Sequence, residues 1–198
     1  KEIANSISAK ISETAGQLKT LAQKPETIAK FEHADTDNLD AAAESLQSSF
    51  AHAKLLRLLV PGHYEVDSTT NPPLSYASLD MLRQAERSTG PVSAEVHMFG
   101  KPEQHIVMVQ QVNNKGSELI GLLHLSLSLD YLQQIMSGLT LDNAYIEIRQ
   151  AASGRELAIA KTGNESFQDR AALVTGINGT RWNLVYWAGS SASISETG

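Results

Sequence analysis

The sequence contains no cysteine. That excludes disulfides, thiolate metal sites and cysteine nucleophiles. It also lacks a basic excess: 16 Lys and Arg stand against 22 Asp and Glu, for a formal charge of -6. A nucleic-acid binder would show a basic stripe, and here the nearest thing is the scattered pair Lys54 and Arg57. Long hydrophobic runs are missing too. The best candidate, Leu119 to Leu129, is interrupted by Gly121, His124, Ser126 and Ser128, whereas a membrane span needs about 20 apolar residues. No phosphate-binding G-x-x-x-x-G-K-[ST], dinucleotide G-x-G-x-x-G, nucleophile-elbow G-x-S-x-G or metalloprotease H-E-x-x-H pattern occurs. The chain is therefore expected to be no enzyme, with no catalytic residue, no resident metal and no cofactor.

What is present reads as α+β. Residues 1–23 carry Ile3, Ile7, Ile11, Leu18 and Leu21 on one helical face. A helix already under way at the first residue suggests a fragment cut just after a membrane helix. Pro25 restarts the chain into a short helix with Ile28 and Phe31. Asp35, Asp37 and Asp40 look at first like a calcium loop. An EF-hand counted from Asp35 would put Leu39 at the fifth ligand position and Asp40 at the obligatory glycine, so the match fails. Helix capping by Thr36 or Asp37 is the expected role, ahead of a stripe of Leu39, Ala43, Leu46 and Phe50.

Lys54 to Val60 predicts a strand ended by Pro61-Gly62. Ser75 is placed to cap a helix through Ser88. A meander follows: 92–99, His105 to Val112, and a strand from Leu119 that runs into a helix at Asp130. Further strands are expected at Tyr145–Gln150, Leu157–Lys161, Leu173–Ile177 and Thr180–Trp187, the last pair joined by the hairpin signal Asn178-Gly179. Helices and strands are segregated, so the expected fold class is α+β: a long N-terminal helix and helical segment packed on an antiparallel sheet. The expected divisions are a helical segment over 1–53, a core over 54–139, a β extension over 140–188 and a Gly/Ser linker over 189–198.

Candidate site residues are few. His97, His105 and His124 fall on neighbouring strands, but no carboxylate is placed to support them as metal ligands. Arg83 lies on the 75–88 helix facing the loop that follows Pro61-Gly62, where a guanidinium is able to clamp a carboxylate or phosphate. Tyr64 and Tyr76 flank the same loop. A small-molecule pocket is expected between the sheet and the 75–88 helix, lined by Tyr64, Tyr76, Arg83, His97 and His105. Trp182 and Trp187, five apart on one strand, point to opposite faces and are expected to serve packing.

Two resemblances attach to particular residues. EVHMFGKPEQHIVMVQQVNNKGSELIGLLHLSLSLDYL, with the late INGTRWNLVYW, resembles a periplasmic PAS-like, Cache-type sensor domain, in which the last meander strand runs into a short helix beginning with Asp. Val60-Pro61-Gly62, Pro72-Pro73-Leu74-Ser75-Tyr76, Arg83-Gln84-Ala85-Glu86 and Glu95-Val96-His97-Met98-Phe99-Gly100, within about 60–130, resemble the N-terminal extension of membrane-anchored bacterial phosphomannomutase/phosphoglucomutases. The mutase's own serine, metal and phosphate loops are absent from this chain. The resemblances imply a periplasmic sensory or ligand-binding domain of an inner-membrane protein, regulating or localising a sugar-phosphate mutase involved in exopolysaccharide biosynthesis. The expected partner is a small-molecule ligand, with contact to the membrane only through flanking helices. Two alternatives stay open: a ligand-free dimerisation or scaffolding module forming a homodimer, and the sensor of a chemoreceptor, histidine kinase or cyclic-dinucleotide enzyme.

Overall fold

The computed structural model describes residues 1–33 and 35–189. Three helices come first: α1 (Glu2–Gln23), α2 (Pro25–Glu32) and α3 (Thr36–Gln47). Then follow β1 (Ala53–Leu59), α4 (Tyr76–Arg87), β2 (Glu95–His97), β3 (His105–Asn113), β4 (Leu119–Leu127) and α5 (Asp130–Ser137). The chain continues as β5 (Ala144–Ala152), β6 (Arg155–Gly163), a 3-10 turn (Glu165–Asp169), β7 (Leu173–Ile177) and β8 (Trp182–Ala188). It forms two compact units, Ile11–Tyr131 and a second made of Lys1–Lys10 with Leu132 onward. Residues 190–198 of the expected linker lie outside the described residues.

The Ile11–Tyr131 unit is built on an antiparallel sheet of order β1-β4-β3-β2. Strand alternation divides its residues between two chemically different faces. One face carries Leu56 and Leu58 from β1, Leu123, Leu125 and Leu127 from β4, and Ile106, Met108 and Val112 from β3, all buried. The helices cover it. Gly121 lies in this face directly beneath the Phe31 ring of α2, so a Cβ there would meet ring carbons at 2.6 Å. The register places Arg57, His124, Ser126, His105, His97 and Glu95 together on the opposite face, with Val107, Val109 and Leu122. The helix α4 closes over the apolar part of that face through Leu79, Leu82 and Ala85.

The second unit has sheet order β6-β5-β8-β7. Tyr145, Val185 and Trp187 form a buried cluster under Phe167. Trp182, on the other face, donates its indole N–H to Gln150 Oε1 at 2.8 Å. Both sheets pair their first strand with their last and flank the last with the strand before it, but the second strand lies beside the third in the first sheet and beside the first in the second.

Several local expectations need correction. The cap of α3 is Asp35, not Thr36 or Asp37; its carboxylate accepts from the Asp37 N–H at 3.2 Å. The 92–99 strand shrinks to β2, because Met98 takes a left-handed φ of 58° and turns the chain toward Gly100. The β7–β8 hairpin exists, but Ile177 pairs with Trp182, leaving a loop of four residues rather than a two-residue Asn-Gly turn. Only Gly179 of that dipeptide has positive φ. Thr180 closes the loop by donating its hydroxyl to Ile177 O at 2.7 Å.

Candidate functional site

The polar face of the first sheet holds a continuous hydrogen-bonded chain. Arg57 comes from the middle of β1, where the pleat directs it away from Leu56 and Leu58. Its Nη1 lies 3.4 Å from His124 Nδ1 on the paired strand. His124 Nε2 lies 3.0 Å from Ser78 Oγ of α4. Ser78 Oγ lies 3.3 Å from His97 Nδ1, and His97 Nε2 lies 2.6 Å from Glu95 Oε1. Because a guanidinium only donates, His124 Nδ1 accepts, and its proton sits on Nε2. Ser78 then accepts from His124 and is free to donate to His97, which donates to Glu95. One set of tautomers satisfies every atom, with all donors pointing from the guanidinium toward the carboxylate.

The environment of this chain is dry. Ser78, His105, His124 and Ser126 are all 0% exposed. Burial holds His124 well below the usual imidazole value, and the nearby Arg57 charge acts in the same direction. Burial also lowers His105 to about 4, reinforced by His97, Arg57 and Lys54. Arg57 itself is lowered to about 10 by burial, with Asp67 partly offsetting. Its Nη2 donates to Thr70 Oγ1 at 2.7 Å and Pro72 O at 2.8 Å, which ties the 60–74 loop to the sheet. Among the described residues Arg57 forms no ion pair with a carboxylate. Among the described residues two buried atoms on the same sheet face have no hydrogen-bond partner: His105 Nε2 and Ser126 Oγ. A cleft of about 770 Å³ between α3, β1 and the loop reaches Arg57, Thr70 and Asp67. A second of about 470 Å³ is lined by Thr70, Met98 and Glu103.

The five residues expected from sequence separate into two groups. His97 and His105 sit together on the buried face, ring centroids 5.6 Å apart. Tyr64 is partly buried against the Leu74–Leu79–Leu82 cluster. Burial and a hydrogen bond to Glu86 push it up to about 12. Tyr76 is 76% exposed, and Arg83 pairs in solvent with Asp80 at 3.6 Å. Arg57, Ser78, Glu95, His124 and Ser126 belong to the cluster but were not among the expected liners. The signal for Arg57 is a charge inside the apolar run Leu55-Leu56-Arg57-Leu58-Leu59. Among the described residues no group of three His, Cys, Asp or Glu is arranged to hold a metal ion.

The mixed helix and antiparallel-sheet fold is similar to that of several solved extracellular sensory domains. No family model matches the chain, and no curated protein does. Among solved structures, the ligand-binding domain of the Pseudomonas fluorescens chemoreceptor CtaA, in complex with L-isoleucine, superposes with TM-score 0.58 at 14% identity over 98% of this chain and 90% of that one. The extracellular domain of a protein assigned as a histidine kinase gives 0.57 at 10% identity over 98% and 92%. The sensory domain of the Campylobacter jejuni chemoreceptor Tlp3 gives 0.52 at 9% identity over 94% and 91%. At these identities the likeness is one of fold. Among the described residues no helix is long and apolar enough to cross a membrane.

Proposed function

We propose that this chain is the extracytoplasmic sensory domain of a membrane-anchored protein and binds a small molecule on the polar face of its first sheet. The carrying observation is Arg57: a guanidinium set among buried polar groups and lining an open cleft, with no carboxylate at ion-pair distance and its burial only partly offset by Asp67. Burying a charge that is only partly compensated is costly, so a sheet face with this composition serves recognition better than stability. The fold is shared with domains whose names declare sensing, and CtaA's holds L-isoleucine, which makes amino acids the first compounds to test. A periplasmic location follows from the same reading. The sugar-phosphate mutase suggested by the sequence resemblance concerns what flanks the domain, and no comparison supports it.

The test is a thermal-shift screen of the 198-residue chain against amino acids, other carboxylates, sugars, sugar phosphates and nucleotides. A ligand at 100 times its dissociation constant adds about 2.7 kcal/mol, which for a domain of this size raises the melting temperature by about 5–10 °C. A flat screen with a concentration-dependent melting temperature would instead identify a dimerisation module.

A further inference from the structure

We propose that Asn178 is a site of self-modification: the main-chain nitrogen of Gly179 closes on the Asn178 side chain and expels ammonia, and water opens the ring to aspartate and isoaspartate. Ser8 of α1 is the positioning residue that promotes the closure. The change falls on the β7–β8 loop and is independent of ligand binding on the first sheet.

The loop leaves the nucleophile free. Asn178 is the one asparagine of the sequence that precedes a glycine. Both residues are exposed, so water reaches them. Thr180 spends its N–H and its hydroxyl on Ile177 O, at 3.3 and 2.7 Å. The Thr180 hydroxyl oxygen also accepts from the Trp182 N–H at 3.0 Å. The Gly179 N–H takes no part in this closure, and among the described residues it has no hydrogen-bond partner. The Asn178 side-chain amide has none among them either. Gly179 has a φ of 82°, and a Cβ there would meet nothing within 4 Å. Its nitrogen is therefore unscreened as it approaches Asn178 Cγ.

The Ser8 hydroxyl donates to Asn178 O at 3.0 Å. That oxygen belongs to the same peptide unit as the Gly179 nitrogen. The bond polarises the unit and makes the nitrogen's proton easier to lose to solvent. The nitrogen then bonds to Asn178 Cγ, the Cγ–Nδ2 bond breaks, and Nδ2 takes a proton from solvent and leaves as ammonia. The product is a five-membered imide, which water opens at one of its two carbonyl carbons. Addition at Cγ restores the original main chain and leaves aspartate. Addition at the Asn178 main-chain carbon leaves isoaspartate, with the chain running through the former side chain. In both cases the Gly179 nitrogen regains its proton. One amide and one water have become one carboxylate and one ammonium. Ser8 polarises the main-chain carbonyl, so it favours isoaspartate. The carboxylate adds a negative charge to the loop, and isoaspartate lengthens the backbone between Ile177 and Thr180, whose bonds close it.

The experiment is incubation of the folded 198-residue chain in mildly alkaline buffer, followed by peptide mapping and mass spectrometry that separate asparagine, aspartate and isoaspartate at every asparagine. Asn178 is expected to convert at least tenfold faster than Asn143, Asn164 or any other asparagine. A synthetic peptide of residues 175–183, which lacks Ser8, is the reference, and the folded chain is expected to convert at least as fast. Ser8→Ala is expected to slow Asn178 severalfold and to lower the ratio of isoaspartate to aspartate. A merely structural role for Ser8 would leave that ratio unchanged. Ser8→Thr, which keeps a hydroxyl, is expected to restore both. Cooperative urea unfolding checks that each variant is folded; where Ser8→Ala is not, slower conversion in the wild-type chain than in the peptide overturns the role of Ser8. An unchanged rate and ratio in folded Ser8→Ala overturns it too. Conversion of Asn178 no faster than that of the other asparagines overturns the proposal as a whole.

Discussion

Acid should destabilise this protein in a way that traces to His105. The sign is set by its depressed folded-state value of about 4 against about 6.5 in an unfolded chain. Below pH 6.5 the unfolded state takes up a proton that the folded state refuses until about pH 4, so stability is lost as pH falls through that window. From pH 7 to pH 5 the linkage amounts to roughly 2 kcal/mol for His105 alone, and His124, depressed for the same reason, adds in the same direction. Native carboxylates contribute their own slope, so the measurement is a difference. Urea unfolding of wild type and His105→Asn at pH 7 and pH 5 isolates the term. The asparagine amide still donates to Glu103 O in place of Nδ1 but does not titrate. Wild type should lose about 2 kcal/mol more than the variant across the interval. A difference below about 0.5 kcal/mol would mean that His105 is solvated, and the dry polar face would be refuted with it.

Three substitutions test the rest of the architecture. Ser78→Ala removes the hydroxyl between His97 and His124 and leaves two buried imidazole nitrogens unmet, which should cost about 2–4 kcal/mol by urea unfolding; a cost under 0.5 kcal/mol would show that the relay is not formed. Gly121→Ala places a Cβ against the Phe31 ring, and overpacking of this kind costs about 1–3 kcal/mol; Phe31→Leu in the same chain should recover part of it, and strict additivity would refute the contact. In the second unit Glu147 accepts from Tyr145, Arg149 and Gln168, so Glu147→Ala should cost about 2–4 kcal/mol in thermal or urea unfolding, whereas Arg149→Ala, whose side chain is partly exposed, should cost less.

The fold was legible where periodicity is strong. Pro25 at the start of α2, the Ser75 cap of α4 and the entry of β4 into α5 at Asp130 all stand where local chemistry places them. Legibility fails where one residue's backbone overrides its neighbours' pattern. Val92, Ala94, Val96 and Met98 alternate as a strand should, yet the positive φ of Met98 ends β2 at His97. The β7–β8 loop departs from a two-residue turn for a related reason. Asn178-Gly179 fits a two-residue turn, but a threonine hydroxyl at 180 makes a longer loop self-sufficient.

The buried polar cluster is only partly legible in the sequence, for a physical reason. His97 and His105 announce themselves by residue type. Arg57 does not, because between leucines it reads as a stray surface charge until one knows that both faces of β1 are covered. That knowledge is tertiary: helices on one side and α4 with its loop on the other. Once both sides are closed, the alternation of β1 ceases to mean inside against outside. It separates two interiors. One is aliphatic, and its leucines are interchangeable in kind. The other holds Arg57, His124, Ser78, His97 and Glu95 in a single donor direction, and that order is disrupted by changing any member. The chain that begins at Arg57 has as its middle link Ser78, which belongs to α4. The polar face and the helix that covers it are thus one hydrogen-bonded object.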